Sequence, residues 1–131
     1  MVKRISAMVL AFCLMLNVNA LAVMPRADAT ASYTPRLSVT GSTANCSLTV
    51  RAQESSARIT ATVTLLKSDG EGGFTVLYRW AGLSGTGTLR FSDSYTSSKI
   101  TSGATYRMEY SVRVVGSEGS DNINHYVDVT K

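Results

Sequence analysis

Apolar and polar residues alternate in several short runs of this chain. In "RITATVTLLK", Ile59, Ala61, Val63 and Leu65 fall on one side, and Thr60, Thr62 and Thr64 on the other. A period of two marks a half-buried β-strand, and β-branched threonine suits the wet side of a pleated surface. "TYRMEYSVRVV" repeats the pattern, with Tyr106, Met108, Tyr110, Val112 and Val114 on one face. "NCSLTVRA" sends Cys46, Leu48 and Val50 the same way. Shorter runs predict strands at 36–40 (entered after Pro35), 74–80, 88–92 and 122–130. "SDGEGG" and "GSEGSD" carry the glycines and small polar residues of turns, so the run at 74–80 should fold back on 58–67 as a hairpin. Residues 30–34 read as a loose lead-in, and "AGLSGTG" (81–87) as a break in the alternation. No apolar stripe of helical period follows the N-terminal segment. Seven strands in about 100 residues predict an all-β, seven-stranded antiparallel sandwich of two sheets.

The N-terminal segment differs from the rest. Lys3 and Arg4 precede an apolar run from Ile5 to Leu16. Small-x-small sites follow at Ala20-Leu21-Ala22 and Ala27-Asp28-Ala29. That order is the layout of a secretory signal peptide. Asn17 and Asn19 interrupt the run, which is short for a membrane span of about 20 residues; an uncut leader would leave an anchor instead. The expected division is a signal peptide at 1–29 and one β-sandwich domain at 30–131, with the second small-x-small site preferred for the cut. The expected location is secreted, extracellular or at the cell surface, with no membrane attachment after cleavage.

Processing changes the charge and the cysteine count. The whole chain carries 13 Lys and Arg against 9 Asp and Glu, a net +4; residues 30–131 carry 10 against 8, a net +2. The remaining basic residues are scattered singly. Nucleic-acid binding needs a concentrated positive face, and none is present in the pattern. Cys13 leaves with the leader and Cys46 stays alone. Cys46 alternates with Leu48 and Val50, which predicts a buried thiol that acts as a small apolar residue. The alternative is an intermolecular bridge or a reactive thiol.

The spacing in "ITSGATYRMEYSVRV" is distinctive: Ile100, three residues to Gly103, three more to Tyr106. It resembles the corner before the sixth strand of fibronectin type III domains. The resemblance implies that the apolar residue plugs the end of the core and that glycine allows a tight turn. It implies that the tyrosine hydroxyl bonds back to the upstream backbone, the tyrosine corner of immunoglobulin-like sandwiches. A packed tyrosine must find a partner for its hydroxyl in any case. The only tryptophan, Trp80, stands at the end of the fourth strand, whereas fibronectin type III domains usually carry one in the second. "ITATVTLLKSDGEGGFTVLYRW" followed by "GATYRMEYSVRV" also resembles small exported domains of Gram-positive bacteria with no assigned activity.

Few residues offer chemistry. His125 is the only histidine. A triad needs it beside a nucleophile and an orienting acid. Ser120, Asp121 and Asp128 are nearby in sequence, but His125 and Asp128, three apart on a strand, face opposite ways. One Cys and one His cannot make a zinc site. Asp69, Glu71, Glu118 and Asp121 are oxygen donors in turns, without the spacing of an EF-hand loop. No catalytic residue, metal or cofactor is therefore assigned, and a binding role is expected. The first reading is a structural or protein-interaction role that uses a sheet face or edge. The alternative is a glycan or cell-wall module centred on Trp80, with Tyr78 and Tyr95 as further ligand-binding rings.

Overall fold

A computed structural model describes residues 29–131; the leader expected at 1–29 lies outside the described residues except for its last residue, Ala29. Seven strands follow one another: β1 (Thr30–Thr40), β2 (Thr43–Ala52), β3 (Arg58–Ser68), β4 (Phe74–Thr86), β5 (Thr88–Thr96), β6 (Thr105–Gly116) and β7 (Gly119–Thr130). All paired neighbours run antiparallel, in the order β1-β2-β5-β4-β3-β6-β7. The β4–β5 junction is a single pairing of Thr86 with Thr88, at a sharp corner. The strands therefore form two layers, β1-β2-β5 and β4-β3-β6-β7, packed face to face. This is an all-β sandwich, compatible with an immunoglobulin-like fold.

The corner depends on Gly87. Its φ is +75°, and a Cβ there would meet the Ser55 carbonyl oxygen at 2.6 Å. Its N–H donates to the Ala57 carbonyl and its carbonyl accepts from the Ala52 N–H. A side chain at this position would be both strained and obstructed.

The core consists of the alternating residues of both layers. Cys46, Leu48 and Val50 of β2 and Leu89 and Phe91 of β5 face Ile59, Val63 and Leu65 of β3 and the five inward residues of β6. The faces expected from the alternation in β2, β3 and β6 are thus the buried ones.

Two segments depart from expectation. Residues 30–34 are paired strand, with Thr34 opposite Thr49, and Pro35 sits within β1 rather than at its start. β1 is an edge strand, so proline's missing donor costs no ladder bond where the outer edge is free. Residues 81–86 continue β4. Opposite β3, β4 carries an extra residue between Trp80 and Leu83 and another between Val76 and Tyr78. Each bulge reverses the in–out phase, which destroys the alternation without ending the strand.

Candidate functional site

The structure brings Trp80, Tyr78 and Tyr95 together. Tyr78 and Trp80 come from β4, in one layer, and Tyr95 from β5, in the other. Tyr78 meets Trp80 edge-on at 4.9 Å and stacks on Tyr95 at 5.8 Å. Trp80 packs on Phe91 at 5.3 Å, and its indole N–H donates to Asp93 Oδ2 at 2.9 Å. The cluster bridges β4 and β5 between the two layers, several residues away from the Gly87 corner. Trp80 is half-buried against the core; Tyr78, 47% exposed, is the ring most open to solvent. Asp93 is an unusual member. It pairs with Cys46 across the ladder, between Phe91 and Tyr95, and so stands on the inward side of β5. Its exposure and the indole bond let a carboxylate occupy that side.

Cys46 is buried, as the alternation predicts. Burial first, and the nearby Asp93 second, push its thiol up to about 12. A thiol held neutral is a poor nucleophile.

His125 and Asp128 lie on opposite faces of β7, as their spacing requires. His125 pairs with the inward Tyr110 and stacks on it at 6.4 Å, and its Nδ1 accepts the Tyr126 N–H. Asp128 is turned to the outer face and holds Arg107. Of the turn acids, Asp69 and Asp121 are engaged within the fold. Asp69 Oδ1 accepts the N–H groups of Glu71 and Gly73, and Glu54 accepts the Ser117 N–H and hydroxyl, bonds that hold its carboxyl below the usual range. Among the described residues, no group of three or more His, Cys, Asp or Glu is placed to hold a metal ion.

The outer face of the four-stranded layer carries a feature that alternation could not reveal. The Arg107 guanidinium lies 4.2 Å from the Phe74 ring centre and 3.7 Å from that of Tyr126. Asp128 holds it with two parallel bonds, Nε to Oδ1 at 2.8 Å and Nη2 to Oδ2 at 3.0 Å. This bonding and the acid's charge raise the Arg107 pKa further. The planar fork explains the choice of arginine: it can accept rings on its faces while its edge binds a carboxylate. Leu66, paired with both Arg107 and Val76, is buried although it belongs to this outer face. Val76 and Tyr126 remain exposed on either side. Next to the stack lies a shallow groove of ≈ 620 Å³ lined by Thr62, Arg79, Glu109, Ser111, Asn124 and Tyr126 among others. The sequence signal for this site is weak, because Phe74, Arg107, Tyr126 and Asp128 meet only through the register of β4, β3, β6 and β7. Comparison with known proteins adds no assignment to this geometry: no protein-family model matches the chain, and no curated protein does.

Proposed function

We propose that the chain is exported, loses its leader, and serves as a non-catalytic interaction module that meets a protein partner through the outer face of the β4-β3-β6-β7 layer. The observation that carries this reading is the Phe74–Arg107–Tyr126 stack, fixed by Asp128. Aromatic residues and arginine are enriched at interfaces and supply most of their hot spots. Here the arginine is already held in one geometry, so docking has less side-chain freedom to remove. Exposed Val76 and Tyr126 supply apolar area, and the adjoining groove supplies polar partners. The leader layout supports export, and the two-layer strand order together with the Ile100, Gly103, Tyr106 corner supports kinship with fibronectin type III-like domains.

The test is site-specific crosslinking of the exported protein on its native surface. A photo-reactive residue in place of exposed Ser111 should trap one discrete protein, and Arg107→Ala combined with Tyr126→Ala should abolish the product. A product that survives the double substitution would place the interface elsewhere.

A second reading rests on a different observation: the contact of Tyr78 with both Trp80 and Tyr95, beside the Asp93 carboxylate. Rings with an adjoining carboxylate can take a sugar, with the exposed Tyr78 as the platform. Under this reading Tyr78→Ala abolishes retention on insoluble cell-wall polysaccharide, while Arg107→Ala leaves it unchanged.

A further inference from the structure

One carboxylate grips the first residues of the domain. Asp121 stands near the start of β7, opposite the inward Val114. Its Oδ2 accepts the backbone N–H of Ala29 at 3.0 Å and that of Thr30 at 2.8 Å. β1 and β7 are the terminal strands of the sheet order, and Asp121 bridges them across the open side of the sandwich. Thr30 is only 5% exposed, and its Oγ1 is, among the described residues, the one buried side-chain polar atom without a hydrogen-bond partner. An unsatisfied buried hydroxyl is unfavourable and calls for an explanation. Thr30 is also the residue that directly follows Ala27-Asp28-Ala29.

We infer that cleavage after Ala29 creates the group this site is shaped to hold, the α-ammonium of Thr30 seated on Asp121. Hydrolysis by an export peptidase breaks the bond between the Ala29 carbonyl carbon and the Thr30 nitrogen. The hydroxyl of water goes to the carbon and its proton to the nitrogen, giving a carboxylic acid and an amine. The acid's proton then passes to the amine, which leaves a carboxylate on Ala29 and an ammonium on Thr30. The amide at Thr30 has one hydrogen and no charge. The ammonium has three hydrogens and a full positive charge, and a charge-assisted bond is about twice as strong as a neutral one. One hydrogen keeps the Asp121 bond. The ammonium thereby brings two further donors into the surroundings of the buried Thr30 hydroxyl.

The surrounding charges favour the ammonium. Asp121 faces it from β7. Glu54 approaches from the segment after β2: a Cβ on Gly116 would lie 3.5 Å from Glu54 Oε1 and 3.6 Å from the Ala29 Cβ. His125, farther along β7, lines the same groove as Thr30. Arg51, the residue before Thr30's partner Ala52, points to the opposite face of β2. Asp121 thus meets the amine directly, while Glu54 adds negative charge in the neighbourhood with its oxygens held by Ser117. The consequence is a domain whose first and last strands are held together more firmly once the leader has gone. This rests on the export-and-cleavage reading and is independent of the outer-face partner.

The test starts from the full chain, exported by a host and recovered as the processed protein. Intact mass and N-terminal sequencing should place the first residue at Thr30. A first residue upstream overturns the seat but leaves export standing; an uncut chain overturns both. The α-amino group is then titrated by NMR. Its pKa should lie about one unit or more above the 7.7–8.0 of a free terminus, and should return to that range in Asp121→Asn. An ordinary value in the wild-type protein overturns the proposal even where the cut is at Thr30. Should Asp121→Asn fail to fold, selective Nα-acetylation of the processed protein gives the same contrast. The raised folded pKa stabilises below the unfolded value and the effect disappears as pH rises through the folded one. The unmodified protein should therefore melt several degrees higher than the acetylated one at neutral pH, with the gap closing toward pH 10 or so. Equal melting temperatures at neutral pH overturn the seat.

Discussion

The Tyr106 hydroxyl closes a loop on the backbone of Thr101: it accepts the Thr101 N–H at 2.7 Å and donates to the Thr101 carbonyl at 3.1 Å. Both polar groups of one peptide residue are satisfied by one side chain. The contact lies where the chain leaves β5 in one layer and enters β6 in the other. Ile100, 4% exposed, plugs the core just before it, and Gly103 turns the chain at φ +84°. The resemblance to the fibronectin type III corner implied these three roles, and the geometry contains each of them.

Tyr106→Phe keeps the ring and removes the oxygen. The Thr101 N–H and carbonyl then lose their partner at a part-buried position, so the change should cost about 1 to 3 kcal/mol. For a domain of this size, each kcal/mol lowers the melting temperature by about 4 to 8 °C. Thermal unfolding followed by circular dichroism measures it, and an unchanged midpoint would contradict the latch.

Much of this fold is legible because burial on one face leaves a period-two trace. β2, β3 and β6 sit in the middle of their layers with one face sealed, and their inward residues alternate without error. β1 leaves little trace. Its first half is polar on both faces, and its strand character comes only from pairing with β2. β4 misleads for a different reason: its two bulges replace alternation by inward positions at Leu77, Trp80 and Leu83, three apart. The same reasoning applies to the surface. Trp80, Tyr78 and Tyr95 can be named from the chain as aromatics near loops. That Tyr95 crosses from the other layer to stack on Tyr78 depends on the β4–β5 corner. The Arg107 stack depends on the register that brings Arg107 to rings 33 and 19 positions away in the chain, and was invisible for that reason.

Trp80 has a double attachment, to Phe91 through its ring and to Asp93 through its N–H. Trp80→Ala should therefore destabilise the domain. The loss should fall below the 3 to 5 kcal/mol typical of a fully buried aromatic, at about 2 kcal/mol, because the ring is half-exposed. Trp80→Phe should recover most of the packing and lose the indole bond. Chemical denaturation of the three proteins separates the two contributions. A Trp80→Ala midpoint equal to wild type would free the ring from the core and make it a dedicated ligand platform.

Cys46 should be silent in the folded protein. With its thiol pushed up to about 12 from an ordinary 9.0, iodoacetamide at pH 8 should label it only as fast as the domain unfolds. The sign of the linkage follows. A raised folded pKa stabilises below the unfolded value, so this contribution is intact below pH 9.0 and is lost as pH climbs toward about 12. Cys46→Val, which has no such proton to lose, should show a shallower decline in stability over that window. Rapid labelling under native conditions would show that the thiol is accessible.

The outer-face stack distinguishes charge from shape, and Arg107→Lys tests which of them matters. Lysine keeps the positive charge but cannot donate two parallel bonds to Asp128 or present a plane to Phe74 and Tyr126. The salt bridge is at the surface, where an ion pair and the stacking of a cation on an exposed ring contribute little to stability. Arg107→Lys should thus shift the unfolding midpoint only slightly, and the shift should shrink in high salt. Partner capture through Ser111 should respond differently. If the interface reads the fixed plane of the guanidinium, lysine should reduce capture nearly as much as alanine, because truncating a centrally placed anchor typically costs about 2 kcal/mol or more of binding. Full capture by the lysine variant would mean that the face attracts its partner by charge alone, and the Phe74–Arg107–Tyr126 geometry would then lose its place as the recognition element.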